Sequence, residues 1–180
     1  MRVSSFAGSF CWRYLSHQMP IIELKTQIDS KVEICFDLSR SIDLHLISTE
    51  HTKEKAIAGK VQGLIGLGES VTWEAVHFGI KQHLATHITA YERPCHFRDE
   101  QQNGPFKFLK HDHYFKQMGG LVEMTDSFQF QSPYGMAGRL FDKLVLKNYL
   151  EKLLLHRNGI IKLYAETGKW KTLLPSENFI

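Results

Sequence analysis

GPFKFLKHDHYFKQMGGLVEMTDSFQFQSPYG, residues 104–135, decides how this chain folds. A Gly104-Pro105 turn opens two alternating runs, 106–117 and 121–131, joined at Gly119-Gly120. Alternation with period two is the mark of a half-buried strand, and the paired glycines between the runs predict a hairpin. Pro133-Tyr134-Gly135 breaks the pattern, and an apolar-rich segment from about Gly138 to Thr167 reads as one long helix. Hairpin, break and closing helix together predict a curved antiparallel sheet wrapped around that helix, with room for a pocket between them.

The hairpin carries the site-like chemistry. In 121–131 one face holds Val122, Met124, Asp126, Phe128 and Phe130; the other holds Leu121, Glu123, Thr125, Ser127, Gln129 and Gln131. The first set is expected to face the core, which leaves Asp126 as a carboxylate on an apolar face. An unpaired buried charge is costly, so it needs a partner or a shifted pKa. Leu109, His111, His113 and Phe115 share one face of the preceding run and supply two imidazoles. The opposite face, with Phe106, Phe108, Lys110, Asp112 and Tyr114, is also mixed. A His-x-His strand pair has a spacing that metal sites use, but no third ligand of clear motif accompanies it, and no metal is assigned. Pocket lining and structural hydrogen bonding remain open for the histidines, as do structural pairing and ligand contact for Asp126.

Outward from the hairpin, 21–28 alternates as a strand. Ser30-Lys31-Val32-Glu33 matches a capping box, with Val32, Cys35 and Phe36 facing inward, and Ser41 is placed to cap a second short helix. Runs near 71–78, 81–92 and 94–97 read as strands, the second with Leu84, Thr86, Ile88 and Ala90 on one face. That makes six strands, or seven if part of 51–70 pairs. This glycine-rich stretch reads as a pocket rim or a plain loop; no Gly-Lys-Ser/Thr follows to make it a phosphate loop. Trp73 and His77 share a face that adds an aromatic and a polar point to the cavity. In the closing helix Leu140, Phe141, Leu144 and Val145 form one stripe, and Leu146, Tyr149, Leu150, Leu153, Ile160, Ile161 and Tyr164 form another, rotated around the axis. The rotation predicts a kink near 146–148, or two halves that face different elements. Gly159 predicts close packing or a bend.

At 180 residues and 43% hydrophobic, the chain can bury a core without disulfides. The net charge of +3 is scattered rather than concentrated beside aromatics, so no nucleic-acid surface is expected. Cys11, Cys35 and Cys95 are irregularly spaced, which favours reduced thiols in a cytoplasmic setting. Residues 1–19 lack acidic residues. They read as a disordered extension ahead of a natural start at Met19, or less well as a transit peptide; a secretory signal fits poorly. No run reaches the ~20 apolar residues of a membrane span. Residues 20–167 read as one domain and 168–180 as a tail.

Several pieces together resemble a known family: Val71-Thr72-Trp73 through His77-Phe78-Gly79, Arg93-Pro94 with Phe97 and Asp99, and Gly104-Pro105-Phe106, then His111-Asp112-His113 with Phe115, Met124-Thr125-Asp126 and Pro133-Tyr134-Gly135. Their order is similar to the helix-grip (SRPBCC) superfamily, which includes START lipid-transfer domains and polyketide cyclase/dehydrase-like proteins. It resembles most the small bacterial single-domain members of the latter group. The resemblance implies an α+β helix-grip fold and a cavity for a small apolar or amphipathic molecule, without a cofactor. A carrier would use Trp73, Phe115, Met124 and Phe128 as apolar wall and His77, His111, His113 and Asp126 as polar points. An enzyme of cyclase, dehydratase or hydrolase type would use His111 or His113 as general base beside Asp126. A transient membrane or protein contact is compatible with either.

Overall fold

The computed structural model describes residues 19–174; the readings made for 1–18, Cys11 among them, and for 175–180 lie outside the described residues. Seven strands form one antiparallel sheet: β1 (Ile21–Ile28), β2 (Lys55–Gly59), β3 (Ser70–His77), β4 (Ile80–Glu92), β5 (His96–Asn103), β6 (Phe108–Met118) and β7 (Leu121–Gln131). Their spatial order is β1-β7-β6-β5-β4-β3-β2. The long non-sequential step brings β1 against β7, with Leu24 opposite Asp126. Two short helices, α1 (Val32–Ser39) and α2 (Ile42–Ser48), follow β1.

The hairpin of β6 and β7 pairs in register from Phe108↔Gln131 to Met118↔Leu121. In β7 the inward set (Val122, Met124, Asp126, Phe128, Phe130) is buried, as the alternation requires. Part of 51–70 does pair, as edge strand β2 on β3. The β4–β5 ladder shifts register between Ile88 and Ala90. Such a bulge bends the sheet and resets the alternation. Tyr91, rather than Ala90, therefore joins Ile88 in the core and meets the Phe36 ring edge-on at 5.4 Å.

Helix starts divide the expectations. Ser41 caps α2 by accepting the Leu44 amide at 3.2 Å. The Ser30 capping box does not form: Lys31 is the N-cap residue and makes no side-chain cap bond, while Gln117 Oε1 from β6 accepts the Val32 amide at 3.0 Å. A tertiary acceptor replaces the local one.

The closing helix is α3 (Gly135–Phe141), a π-helical stretch (Asp142–Leu146) and α4 (Lys147–Glu166). The wider π turn displaces the side-chain stripe around the axis, which accounts for the two rotated stripes. The early stripe does not face the core. Leu140, Phe141, Leu144 and Val145 are all exposed, Leu144 at 62%. Gly138 allows the chain to turn into α3, because a Cβ there would collide with the Pro133 carbonyl. Gly159 corrects the reading above: open space surrounds it, so no close packing calls for glycine. Beyond α4, Trp170, Leu173 and Leu174 of the segment read as a tail pack against the core around Phe36.

Candidate functional site

Between the concave face of the sheet and α4 lies a cavity of about 950 Å³. Its apolar wall includes Val71, Trp73, Ala75, Ile88, Phe97, Leu109, Phe128, Leu146, Leu150 and Leu154. At its rim the β3–β4 turn, Phe78-Gly79, sits against the closing helix. Phe78 has a left-handed backbone (φ 52°), uncommon for a bulky residue, and its ring lies 4.6 Å from Tyr149 and 5.8 Å from Phe141. The exposed α3 stripe flanks the same opening.

Of the residues predicted from sequence, Trp73, His77, His111, His113 and Phe128 line the cavity. Phe115, Met124 and Asp126 do not. Phe115 and Met124 belong to the packed core around Phe36, and Asp126 sits behind the two histidines, fully buried. Trp73 stacks on His45 at 4.1 Å, and His77 Nδ1 lies 2.8 Å from the Tyr149 hydroxyl.

The polar end of the cavity is built from four elements. Asp126 on β7 lies opposite His113 in the β6 ladder. His111 Nε2 is 2.9 Å from Asp126 Oδ1. His113 Nδ1 approaches the same oxygen at 2.8 Å, without hydrogen-bond geometry. Asn158 Nδ2, from α4, donates to Asp126 Oδ2 at 2.6 Å. On the cavity side Asp99 of β5, paired with His111 in the ladder, holds His113 Nε2 at 3.1 Å and lies 3.9 Å from His111 Nδ1. Arg157 of α4 donates from Nη2 to the Ser39 carbonyl at 2.6 Å. Its other terminal nitrogen, Nη1, is 3.8 Å from Asp126 and has no hydrogen-bond acceptor among the described residues.

Burial opposes charge on Asp126, but the His111 bond and the close approach of His113 prevail and hold its carboxyl well below the usual range. The same competition, won by the His113 bond and the neighbouring cations, lowers Asp99. The histidines divide. Burial and the neighbouring His113 push His111 down, so it is kept neutral. For His113 burial is outweighed by Asp126 and Asp99, and its pKa rises. Two carboxylates then face one guanidinium and one imidazolium, which balances the charge.

Asp99, Arg157 and Asn158 were not among the site residues expected from the sequence, although Asp99 belongs to one of the family-like motifs. Asp99 falls in the half of β5 with no apolar alternation, and the α4 residues lie more than thirty positions from Asp126. The signal available was electrostatic: a buried Asp126 needs partners beyond two histidines.

No protein-family model matches the sequence, and no curated protein matches it. Solved structures do match in shape. TTHA0849 from Thermus thermophilus aligns with a TM-score of 0.64 at 16% identity, over 82% of this chain and all of that one. A START superfamily protein from Mycobacterium smegmatis gives 0.60 at 11% identity, over 79% and 97%. Major latex-like protein 151 from Panax ginseng gives 0.59 at 15% identity, over 82% and 97%. The long closing helix gripped by a seven-stranded antiparallel sheet, matched in shape by these structures, is the helix-grip fold.

Proposed function

We propose that the chain binds a small amphipathic molecule in the cavity, as a carrier or sequestering protein for a lipid, quinone or polyketide-like ligand. The observation that carries this reading is the cavity itself, about 950 Å³ and walled mainly by apolar side chains with one charged end. That size suits a drug-sized or larger ligand. Burying ~200 Å² of apolar ligand surface would contribute about 5 kcal/mol at about 25 cal/mol per Å². A polar donor at one end, Arg157 Nη1, suits a carbonyl or acidic head group and would fix the ligand's direction. Entry falls at the rim between Phe78 and α3. There Met136, Leu140, Phe141 and Leu144 are exposed beside Arg139 and Lys143, a pairing of apolar and basic side chains suited to brief contact with a membrane surface.

The test is native mass spectrometry of the purified chain, with organic extraction of any adduct. An excess mass that leaves on activation and extracts as an apolar molecule supports the carrier reading. A bare mass, with no uptake from a panel of fatty acids, quinones and aromatic polyketides, rejects it.

Turnover is a second reading, favoured by one observation. Neutral His111 lines the cavity with Nε2 donating to Asp126, the arrangement of an oriented imidazole base. His111→Ala, His113→Ala and Asp126→Asn should then each abolish turnover of a bound substrate while affinity stays within about tenfold. Turnover that survives all three changes excludes it.

A further inference from the structure

The nitrogen atoms that His111 and His113 turn toward Asp99 are arranged as ligands. With His111 Nε2 donating to Asp126, its Nδ1 carries a lone pair, and this faces the Asp99 carboxylate at 3.9 Å. Two acceptors face each other there, an arrangement that a cation between them would relieve. Asp99 Oδ2 also lies 3.1 Å from His113 Nε2. One donor atom from each of Asp99, His111 and His113 lies within 4.8 Å of the others. Bonds of about 2.1 Å in tetrahedral geometry place donors ~3.4 Å apart, so a small rotation of the rings closes the set.

The surroundings complete the pattern. The far nitrogen of His111 donates to Asp126, the kind of outer carboxylate that fixes imidazole orientation in metal sites, and that of His113 lies 2.8 Å from the same oxygen. Asn158 holds that carboxylate from the other side. All three candidate ligands line the cavity, which supplies an entry path and an open coordination position. Charge agrees as well. Asp99 and Asp126 carry two negative charges against the single positive charge of Arg157, so one more positive charge is needed, as a proton on His113 or as a metal ion.

We propose that Asp99, His111 and His113 form a two-histidine, one-carboxylate site for a divalent transition ion, with Asp126 as its outer carboxylate. The donor set suits zinc, cobalt or ferrous iron over magnesium or calcium. Imidazole nitrogens bind a metal only when deprotonated, so affinity should strengthen with rising pH. Because it needs no organic ligand, this site goes beyond the carrier reading, and either can fail without the other.

The experiment uses the full chain, stripped with chelator and titrated with Co²⁺ alone, read by visible absorption and by bound metal. One Co²⁺ per chain with visible ligand-field bands is expected, displaced by Zn²⁺. Asp99→Asn and His111→Gln should remove it, and Asp126→Asn should weaken it by about 10–100-fold. His156→Gln should leave it unchanged; His156 faces His51 with ring centres 5.1 Å apart, the control for adventitious capture at another histidine pair. Wild-type protein that takes up no Co²⁺, or uptake that survives Asp99→Asn and His111→Gln, overturns the proposal. The wild-type titration decides this even if a variant fails to fold.

Discussion

Strands β5 and β6 build two ion clusters from alternate residues, one on each face of the same sheet. On the concave face Asp99 and His111 are ladder partners; one step along, on the convex face, Arg98 and Asp112 are. Convex Asp112 accepts from Arg98 at 2.7 Å, is 2.8 Å from His96 Nε2, and has Lys110 at 3.5 Å. One carboxylate there has three basic neighbours, each partly open to water, and can lose one without stranding the rest. The concave cluster sets two carboxylates against one guanidinium and one imidazolium and lies enclosed between a sheet and a helix. Similar residue types on adjacent positions therefore make a cluster whose basic partners reach water on one side and an enclosed cluster on the other. The open hollow of about 450 Å³ beside His96 and Tyr114 belongs to the solvated side.

The sharpest way to break this comparison is to remove each carboxylate. Asp126→Ala leaves two histidines and Asn158 without their shared acceptor and should cost about 3–5 kcal/mol. Asp112→Ala releases its partners to water and should cost about 1 kcal/mol. Urea unfolding measures both, and equal losses would erase the distinction between the faces.

Filling the concave side comes next. Ala75→Phe adds a ring at a cavity-lining position, and it should lower probe affinity at least about tenfold, the equivalent of 1.4 kcal/mol, with folding retained. Retained affinity on a folded variant would mean the ligand space lies elsewhere. At the rim, Phe141→Ser with Leu144→Ser should slow ligand transfer from vesicles several-fold while leaving thermal stability nearly unchanged, since both side chains are exposed. Unaltered transfer would remove the rim from the exchange route.

The pH dependence separates the two histidines. His113 is raised, so its contribution to stability is full below the unfolded pKa of about 6.5 and is lost as pH rises through the folded value. His111 is lowered, so the folded state loses stability as pH falls from about 6.5 toward its folded value. Asp99 and Asp126 add a further loss only in acid, as pH falls through their lowered values. Denaturation across this range should show the stability advantage of wild type over His113→Gln shrinking as pH rises above about 6.5. A constant difference would contradict the charged state of His113. The smallest effect belongs to a surface site: Gly159→Ala should stabilise α4 by up to about 1 kcal/mol.

What the sequence discloses follows from what each element buries. β6 and β7 keep strict period two because one face is core, so the facing of Asp126, His111 and His113 was legible. The outer half of β5, Arg98 to Asn103, is polar on both faces, and with no alternation to see the strand was read only to Phe97 and Asp99 only as part of a family motif, not as a site residue. Periodicity in α3 showed an amphipathic stripe but not that it faces out at the cavity rim, because an apolar stripe looks the same covering a core or guarding an opening. Seating Met124 and Phe115 in packed core rather than in the cavity wall depends on where α1 lies, a tertiary fact that no local pattern carries.

Displacement of a fluorescent apolar probe by amphipathic ligands, in wild type and Ala75→Phe side by side, tests the cavity most directly. Saturable one-to-one probe binding to wild type is expected, displaced by at least one ligand class and weakened at least about tenfold by the filled cavity. Probe binding of equal strength in both proteins, or none in wild type, would contradict it.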